Sequence, residues 1–219
     1  MTSTDVAAGG VDAAPALSSR AGLLRAPVDP ATVRAVAQLA VGAVWLASAG
    51  VAVWMLVLVS SVLVPVLGLG LLALGVALPV ARWFAALERG RLAAQTGVVV
   101  PGPRLGAAGL PRSWAGFRAT LRDGRAWAAA GYAVVAMLLC TVFLLAVVTL
   151  VGGAAALVVV LARGGAGAAG GTPGLAWPVA LVVGAVGAAL LLWLGAAVAQ
   201  AGTALVLALA RACLGPSAA

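Results

Sequence analysis

Residues 35–81 read AVAQLAVGAVWLASAGVAVWMLVLVSSVLVPVLGLGLLALGVALPVA, a run of 47 residues without one charged side chain. As a single helix this run would be roughly 70 Å long, because each helical residue adds about 1.5 Å. The hydrocarbon core of a bilayer is only about 30 Å thick. The run therefore predicts two membrane-spanning helices, over 35–58 and 63–84, joined by a turn near Ser60, Ser61 and Pro65.

The composition of the whole chain indicates the same solvent. Hydrophobic residues make up 64% of the chain, charged residues make up 8%, and the mean hydropathy is +1.19. A water-soluble core cannot bury this much apolar side chain, so a soluble globular fold is excluded. The chain has two Cys and no His, which leaves no residues for a zinc, haem or histidine-based catalytic site. We therefore expect no metal, no cofactor and no enzymatic activity.

Two further uncharged runs extend this reasoning. Residues 126–162 suffice for one crossing, with a span over 126–151 that ends before Gly152 and Gly153. The stretch 152–162 then either extends this helix or lies at the outer interface. The whole membrane domain is expected over 35–214. Besides the first three spans it contains a cytoplasmic loop (85–125), a glycine-rich outer loop (163–177) and a fourth span (178–210). A disordered cytoplasmic tail (1–34) precedes the domain, and a C-terminal stub (215–219) follows it.

The distribution of arginine predicts the orientation of these spans. All 13 basic residues are Arg, and all except Arg163 lie in the tail, the loop 85–125 with its flanking Arg82, or the C-terminal end. Arginine-rich segments stay in the cytoplasm. We therefore expect a multi-pass protein of the bacterial cytoplasmic membrane with both termini in the cytoplasm. The predicted fold is all-α, with four transmembrane helices arranged as two hairpins.

An amphipathic interfacial helix is expected in the cytoplasmic loop, just before the third span. Apolar side chains recur there on one helix face, with arginines beside it: Leu110, Trp114, Phe117 and Leu121 form the face, and Arg118, Arg122 and Arg125 flank it. This pattern is typical of a helix in the inner headgroup layer with its arginines towards anionic lipid. Its role is either anchoring or coupling of span movement to the cytoplasm. An ion pair across the loop, such as Glu88 with Arg122, is a further hypothesis.

Polar side chains are scarce inside the predicted spans, and none of them is ionisable. Gln38 and Gln200 are the largest of these side chains. Gln200 either makes a hydrogen bond between helices or marks a ligand pocket. An ion pump or proton pump needs ionisable groups along its path, so transport is disfavoured.

Two motifs resemble a known family. The first, ARWFAALERGRL, covers residues 81–92, and the second begins at Leu121 and enters the third span. Both resemble the sensor domain at the N-terminus of many actinobacterial two-component histidine kinases. The match covers roughly residues 35–214. The residues that carry it are Arg82, Glu88, Arg89, Arg91, Leu121, Asp123, Trp127 and Tyr132.

The resemblance implies a signal-input domain with four membrane helices. Because the chain has no His, it has no phosphoacceptor, and we expect the input half without a kinase core. The expected function is non-catalytic relay of a membrane or envelope stimulus to a cytoplasmic partner, such as a separately encoded histidine kinase. The other expected partners are the anionic inner leaflet and a second copy of the chain, with no nucleic acid. The alternatives are a small permease or transporter subunit, and a membrane enzyme with only Glu88 and Asp123 as candidate groups.

Overall fold

The computed structural model describes residues 29–65, 68–102, 113–168 and 176–215. This part of the chain forms five helices and no β-strand: α1 (Pro30–Val62), α2 (Leu69–Thr96), α3 (Trp114–Leu121), α4 (Gly124–Ala168) and α5 (Ala176–Leu214). All except α3 are long and apolar enough to cross a membrane. The prediction of an all-α polytopic protein is confirmed. Most of the predicted tail, residues 169–175 of the predicted outer loop and most of the C-terminal stub lie outside the described residues.

α1 begins before the predicted first span. The Asp29 carboxylate accepts a hydrogen bond from the Ala31 N–H at 2.7 Å, and Pro30 occupies the first helical position. Both are typical of a helix start, because the cap satisfies a free N–H and proline has none to satisfy. The prediction of a tail over 1–34 is therefore wrong for its last residues, which form the first turn of α1.

The predicted turn near Ser60 and Ser61 lies slightly too early in the chain. Their hydroxyls donate to the carbonyls of Leu56 and Val57 at 2.6 and 2.8 Å. Serine hydroxyls bonded in this way remain compatible with a helix. α1 therefore continues through both serines, and the reversal follows over 63–68.

Two glycines shape this reversal. Gly68 has φ 70°, a left-handed conformation that a side chain disfavours. Gly70, in the first turn of α2, lies so close to the backbone of Ser60 and Val64 that a Cβ would collide with both. The α1–α2 hairpin is therefore closed by direct backbone contact.

α2 extends twelve residues beyond the predicted end of the second span. It ends at Thr96, where Gly97 adopts φ 71° and its N–H donates to the Ala93 carbonyl. The prediction that the loop begins at residue 85 is therefore wrong. The charged side chains of this segment did not end the helix because Glu88 and Arg91 bind each other along it.

After α2 the chain turns back along the same helix. Val98 packs against the core, and Val100 is buried. Gly102 lies beside the Arg89 guanidinium, because a Cβ added to this glycine would lie 2.8 Å from Cζ and Nε of Arg89. The described start of the connection to α3 is therefore packed against the helices, whereas the prediction has a cytoplasmic loop there.

α4 and α5 form the second hairpin. Gly152 and Gly153 do not interrupt α4, so residues 152–162 extend the third helix. The two helices are in close contact because small residues line α5 along its whole length. Four of these small residues are glycines, and each faces a large side chain of α4: Gly184 faces Leu161, Gly187 faces Leu157, Gly195 faces Leu150 and Gly202 faces Phe143.

The two hairpins pack with an unexpected relative direction. Gly50 of α1 lies beside Ala133 of α4, and Gly42 lies beside Cys140, so α1 and α4 are antiparallel. α4 and α5 are also antiparallel, which makes α1 parallel to α5. Four alternating crossings would make α1 and α5 antiparallel. The packing therefore differs from that of four alternating crossings, because α3, which follows the connection, lies beside Gly75 near the end where α2 began.

A disulfide can test this packing directly. A Cβ added at Gly42 would lie 3.0 Å from the Cys140 Sγ, and in a disulfide each Cβ lies about 3 Å from the partner sulfur. We expect the Gly42→Cys variant to form a disulfide with Cys140 when membranes are oxidised, measured as loss of maleimide-reactive thiols and as a cross-linked peptide. The exposed neighbour Val41→Cys is the control. If Gly42→Cys stays reduced under conditions that oxidise other cysteine pairs, the antiparallel packing of α1 and α4 is wrong.

Candidate functional site

A charged network lies buried where α1, α2 and α4 meet. Arg91 donates to both carboxylate oxygens of Glu88, from Nε at 2.9 Å and from Nη2 at 2.5 Å. Its Nη1 donates to the Gln95 side-chain carbonyl at 2.7 Å. The Tyr132 hydroxyl donates to Glu88 Oε1 at 3.0 Å. We call these four residues the buried network.

The sequence positions three members of the network on one side of α2. Glu88, Arg91 and Gln95 follow each other at spacings of three and four residues, so their side chains lie on neighbouring turns of one helix face. The two-pronged contact between guanidinium and carboxylate is the strongest form of this pair. Tyr132 reaches the same carboxylate from α4, so the network joins the two hairpins.

The network is enclosed on its third side by α1. Gly42 lies there, and a Cβ on it would be 3.6 Å from both Nη atoms of Arg91 and 3.0 Å from Cys140 Sγ. Glu88 is fully buried, and the Arg91 side chain is only 12% exposed. Glu88 and Arg91 lie beyond the predicted second span, but α2 continues past its predicted end, so the helices enclose both charges.

The energetics of this burial favour a functional role. Taking two charges out of water costs several kcal/mol per ion, and a buried pair offsets this cost only with good geometry and further hydrogen bonds. Here Gln95 and Tyr132 supply those further bonds. Ionisable groups among membrane helices are rare and mark functional sites. The buried network is therefore the best candidate site in the described part of the chain.

An irregular turn of α1 lies close to the network. Residues Leu46–Gly50 form a π-helix, whose hydrogen bonds span five residues. Such turns are rare and occur frequently at functional sites. Gly50 contacts Ala133, the residue after Tyr132, so the irregular turn is in contact with the same part of α4.

Glu88 does not pair with Arg122, and that hypothesis is wrong. Its carboxylate is occupied by Arg91 and Tyr132 in the interior. The ion pair across the predicted loop is instead Arg82 with Asp123, at 3.3 Å and with side chains 30% and 21% exposed. A partly exposed pair of this kind contributes about 0–1 kcal/mol.

α3 lies where the interfacial helix is predicted, but its aromatic face is divided. Phe117 is buried against Gly75 of α2, where a Cβ would come within 2.6 Å of the ring. Trp114 stacks on Phe117 at 5.3 Å and stays 66% exposed. The side chain of Leu121 is half-buried, whereas Leu110 lies outside the described residues.

The remaining predicted site residues lie at the surface or between helices. The Trp127 indole N–H donates to the Leu121 carbonyl at 3.1 Å and so fixes the end of α3 to the start of α4. The intramembrane Gln200 donates to the Thr32 hydroxyl at 3.0 Å, whereas Gln38 is buried. The half-buried Arg89 lies beside Gly102. The exposed arginines are Arg118, Arg122 and Arg125.

Sequence reasoning missed Gln95, Gly42 and Cys140. Gln95 could have been found, because it follows Arg91 by four residues, the spacing at which helical side chains meet. Gly42 and Cys140 belong to two different helices. One sequence contains no signal that would bring them together.

The comparisons with known proteins agree with the resemblance seen in the motifs. A family model described as "Putative sensor" matches residues 39–214. This match includes α2, α3, α4, α5 and most of α1, with the whole buried network. The search of curated proteins and the search of solved structures gave no match. Because the match covers most of the chain, the protein belongs to this sensor family.

Proposed function

We propose that the chain is a non-catalytic signal-input domain that relays a membrane or envelope stimulus to a cytoplasmic partner, such as a histidine kinase. The observation that supports this proposal is the buried network, which connects α2 to α4 across the two hairpins. A stimulus that moves one hairpin against the other must either carry these bonds along or break them. Such a contact favours two discrete arrangements over a gradual deformation.

Apolar packing between the buried network and the end of α5 supports the proposed relay of a signal. Ala210 and Leu214, in the last turns of α5, are buried in the same apolar cluster as Tyr132. A displacement at Tyr132 therefore changes the packing around the end of α5. In our proposal this end contacts the cytoplasmic partner.

The charge distribution supports an orientation for this relay. Arg118 lies in α3, Arg122 directly after it, Arg125 at the start of α4 and Arg211 near the end of α5. We propose that this end of the bundle faces the cytoplasm, since arginine-rich ends stay inside. The exposed Arg118, Arg122 and Arg125 then lie at the level of anionic inner-leaflet headgroups, where each contributes about 1 kcal/mol of attraction.

The relay can be tested by phosphorylation measurements in cells that produce the chain. Deletion of the chain should abolish the stimulus-dependent phosphorylation of one response regulator under envelope stress, and the wild-type chain should restore it. The Glu88→Gln variant keeps the side-chain shape and removes the charge, and it should shift the response per molecule of protein at least threefold. Phosphoproteomic quantification with matched protein levels gives both results.

Two outcomes would contradict this proposal. A phosphorylation profile unchanged by deletion would exclude relay to a kinase. Saturable solute flux in vesicles that contain only this chain would instead support the permease alternative. The Arg163→Gln variant is a matched control, because it also removes one charge but lies outside the network.

A further inference from the structure

A cavity of about 520 Å³ lies beside the buried network, between the start of α1, the end of α2 and the second half of α5. Its polar lining consists mainly of side chains that can donate hydrogen bonds, and none of the described residues that line it is acidic. The polar residues used below are Arg34, Gln38, Gln95, Gln200 and Thr203. The volume is within the range of about 300–1,000 Å³ that small-molecule sites have.

Two polar atoms in this lining have no partner among the described residues. Gln38 is 5% exposed, and its Nε2 is buried without a hydrogen-bond acceptor. The hydroxyl of Thr203 is likewise buried and without a partner. Leaving such groups unpaired costs about 1–3 kcal/mol each. Both residues line the cavity, so a rotation of either side chain would let it donate a hydrogen bond to a ligand there.

The charge at the cavity identifies the kind of acceptor. Arg34 is exposed and lies one helical turn before Gln38, so its guanidinium is at the mouth while Gln38 is further inside. No described carboxylate forms an ion pair with Arg34. A cation together with amide and hydroxyl donors suits an anionic oxygen group, and the apolar residues Ala35 and Leu207 suit an apolar body.

We propose that this cavity binds an amphiphile whose head is an anionic oxygen group, phosphate or carboxylate. Gln95 lines the cavity and also accepts the hydrogen bond from Arg91. An occupant therefore lies one hydrogen bond away from the Glu88–Arg91 pair. The inference deepens the proposed function by naming the class of stimulus, and it rests on that function only for the consequence of binding.

Binding can be measured on the isolated full chain. The chain in nanodiscs of zwitterionic lipid is titrated with phosphatidylglycerol, with decanoate and with inorganic phosphate, and bound probe is counted by native mass spectrometry. Arg34→Gln and Gln38→Leu should each weaken binding at least tenfold, whereas Arg163→Gln should change it less than twofold. Saturation by phosphatidylglycerol alone identifies a lipid ligand, and saturation by decanoate identifies a free acid.

The result that would overturn the proposal is binding of none of the probes, or equal binding by wild type and both cavity variants. Binding of inorganic phosphate alone would contradict the apolar part of the ligand. Gln38 is buried, so Gln38→Leu could lose binding by disturbing the packing. Arg34 is exposed, so Arg34→Gln should leave the fold intact and tests the site on its own. The assay contains no kinase, so binding without any change in cellular phosphorylation would retain the cavity site and reject the relay.

Discussion

The Glu88→Leu variant should be less stable than the wild type by about 3–5 kcal/mol, because it leaves the buried Arg91 guanidinium without a counter-charge. The same change also removes the acceptor of the Tyr132 hydroxyl. The free energy of unfolding can be measured by denaturant titration of the chain in detergent micelles, with tryptophan fluorescence as the signal. The seven Trp residues of the chain provide that signal.

A double variant separates the charge from the packing. In Glu88→Leu with Arg91→Met both charges are gone, and most of the lost stability should return, since apolar replacement of a buried pair is often neutral or stabilising. The Arg82→Met variant is the control on the same helix, because it breaks a partly exposed ion pair and should cost about 1 kcal/mol or less. If Glu88→Leu and Arg82→Met lower the free energy of unfolding equally, Glu88 is exposed to solvent and the buried pair is wrong.

The Gly70→Ala variant should be the most damaging of the small substitutions. The added methyl group would collide with backbone atoms of Ser60 and Val64, and backbone cannot rotate away as a flexible side chain can. Overpacking typically costs about 1–3 kcal/mol, and we expect this substitution to cost about 3 kcal/mol or more. The α1–α2 hairpin would have to open at its turn.

Gly90→Ala is the matched control for this prediction. Gly90 also lies in α2, but a Cβ there meets nothing within 4 Å. Alanine should therefore stabilise the helix by about 0.5–1 kcal/mol, the usual advantage over glycine in a helix interior. Thermal unfolding followed by circular dichroism compares the two variants, and Gly70→Ala at wild-type stability would refute the close contact.

The number and class of the helices were predictable because charge is so unevenly distributed along this chain. The uncharged run 35–81 became α1 and α2, the other two runs became α4 and α5, and the tight turn was located to within a few residues. The ends of the helices were less predictable. Residues 85–96 contain Glu88 and three arginines or glutamines on the next two turns, a composition typical of a loop, yet within the helix Arg91 binds both Glu88 and Gln95.

The candidate site was predicted in its parts but not in its assembly. The family motifs contain Glu88, Arg91 and Tyr132, but Tyr132 lies 44 residues after the carboxylate that it binds. A single sequence contains no measure of which faces of α2 and α4 meet. The positive-inside rule concerns the side of the membrane that a loop occupies, and it carries no information on neighbouring helices. The parallel packing of α1 and α5 was for this reason not foreseeable.

The glycines of α5 have a mechanical consequence. Since Gly184, Gly187, Gly195 and Gly202 each receive a large side chain of α4, sliding one helix along the other would require all four contacts to open together. The second hairpin should thus behave as a stiff lever. The first hairpin packs against it through the shared apolar cluster and the buried network, so a small torque there would be amplified over the length of the lever.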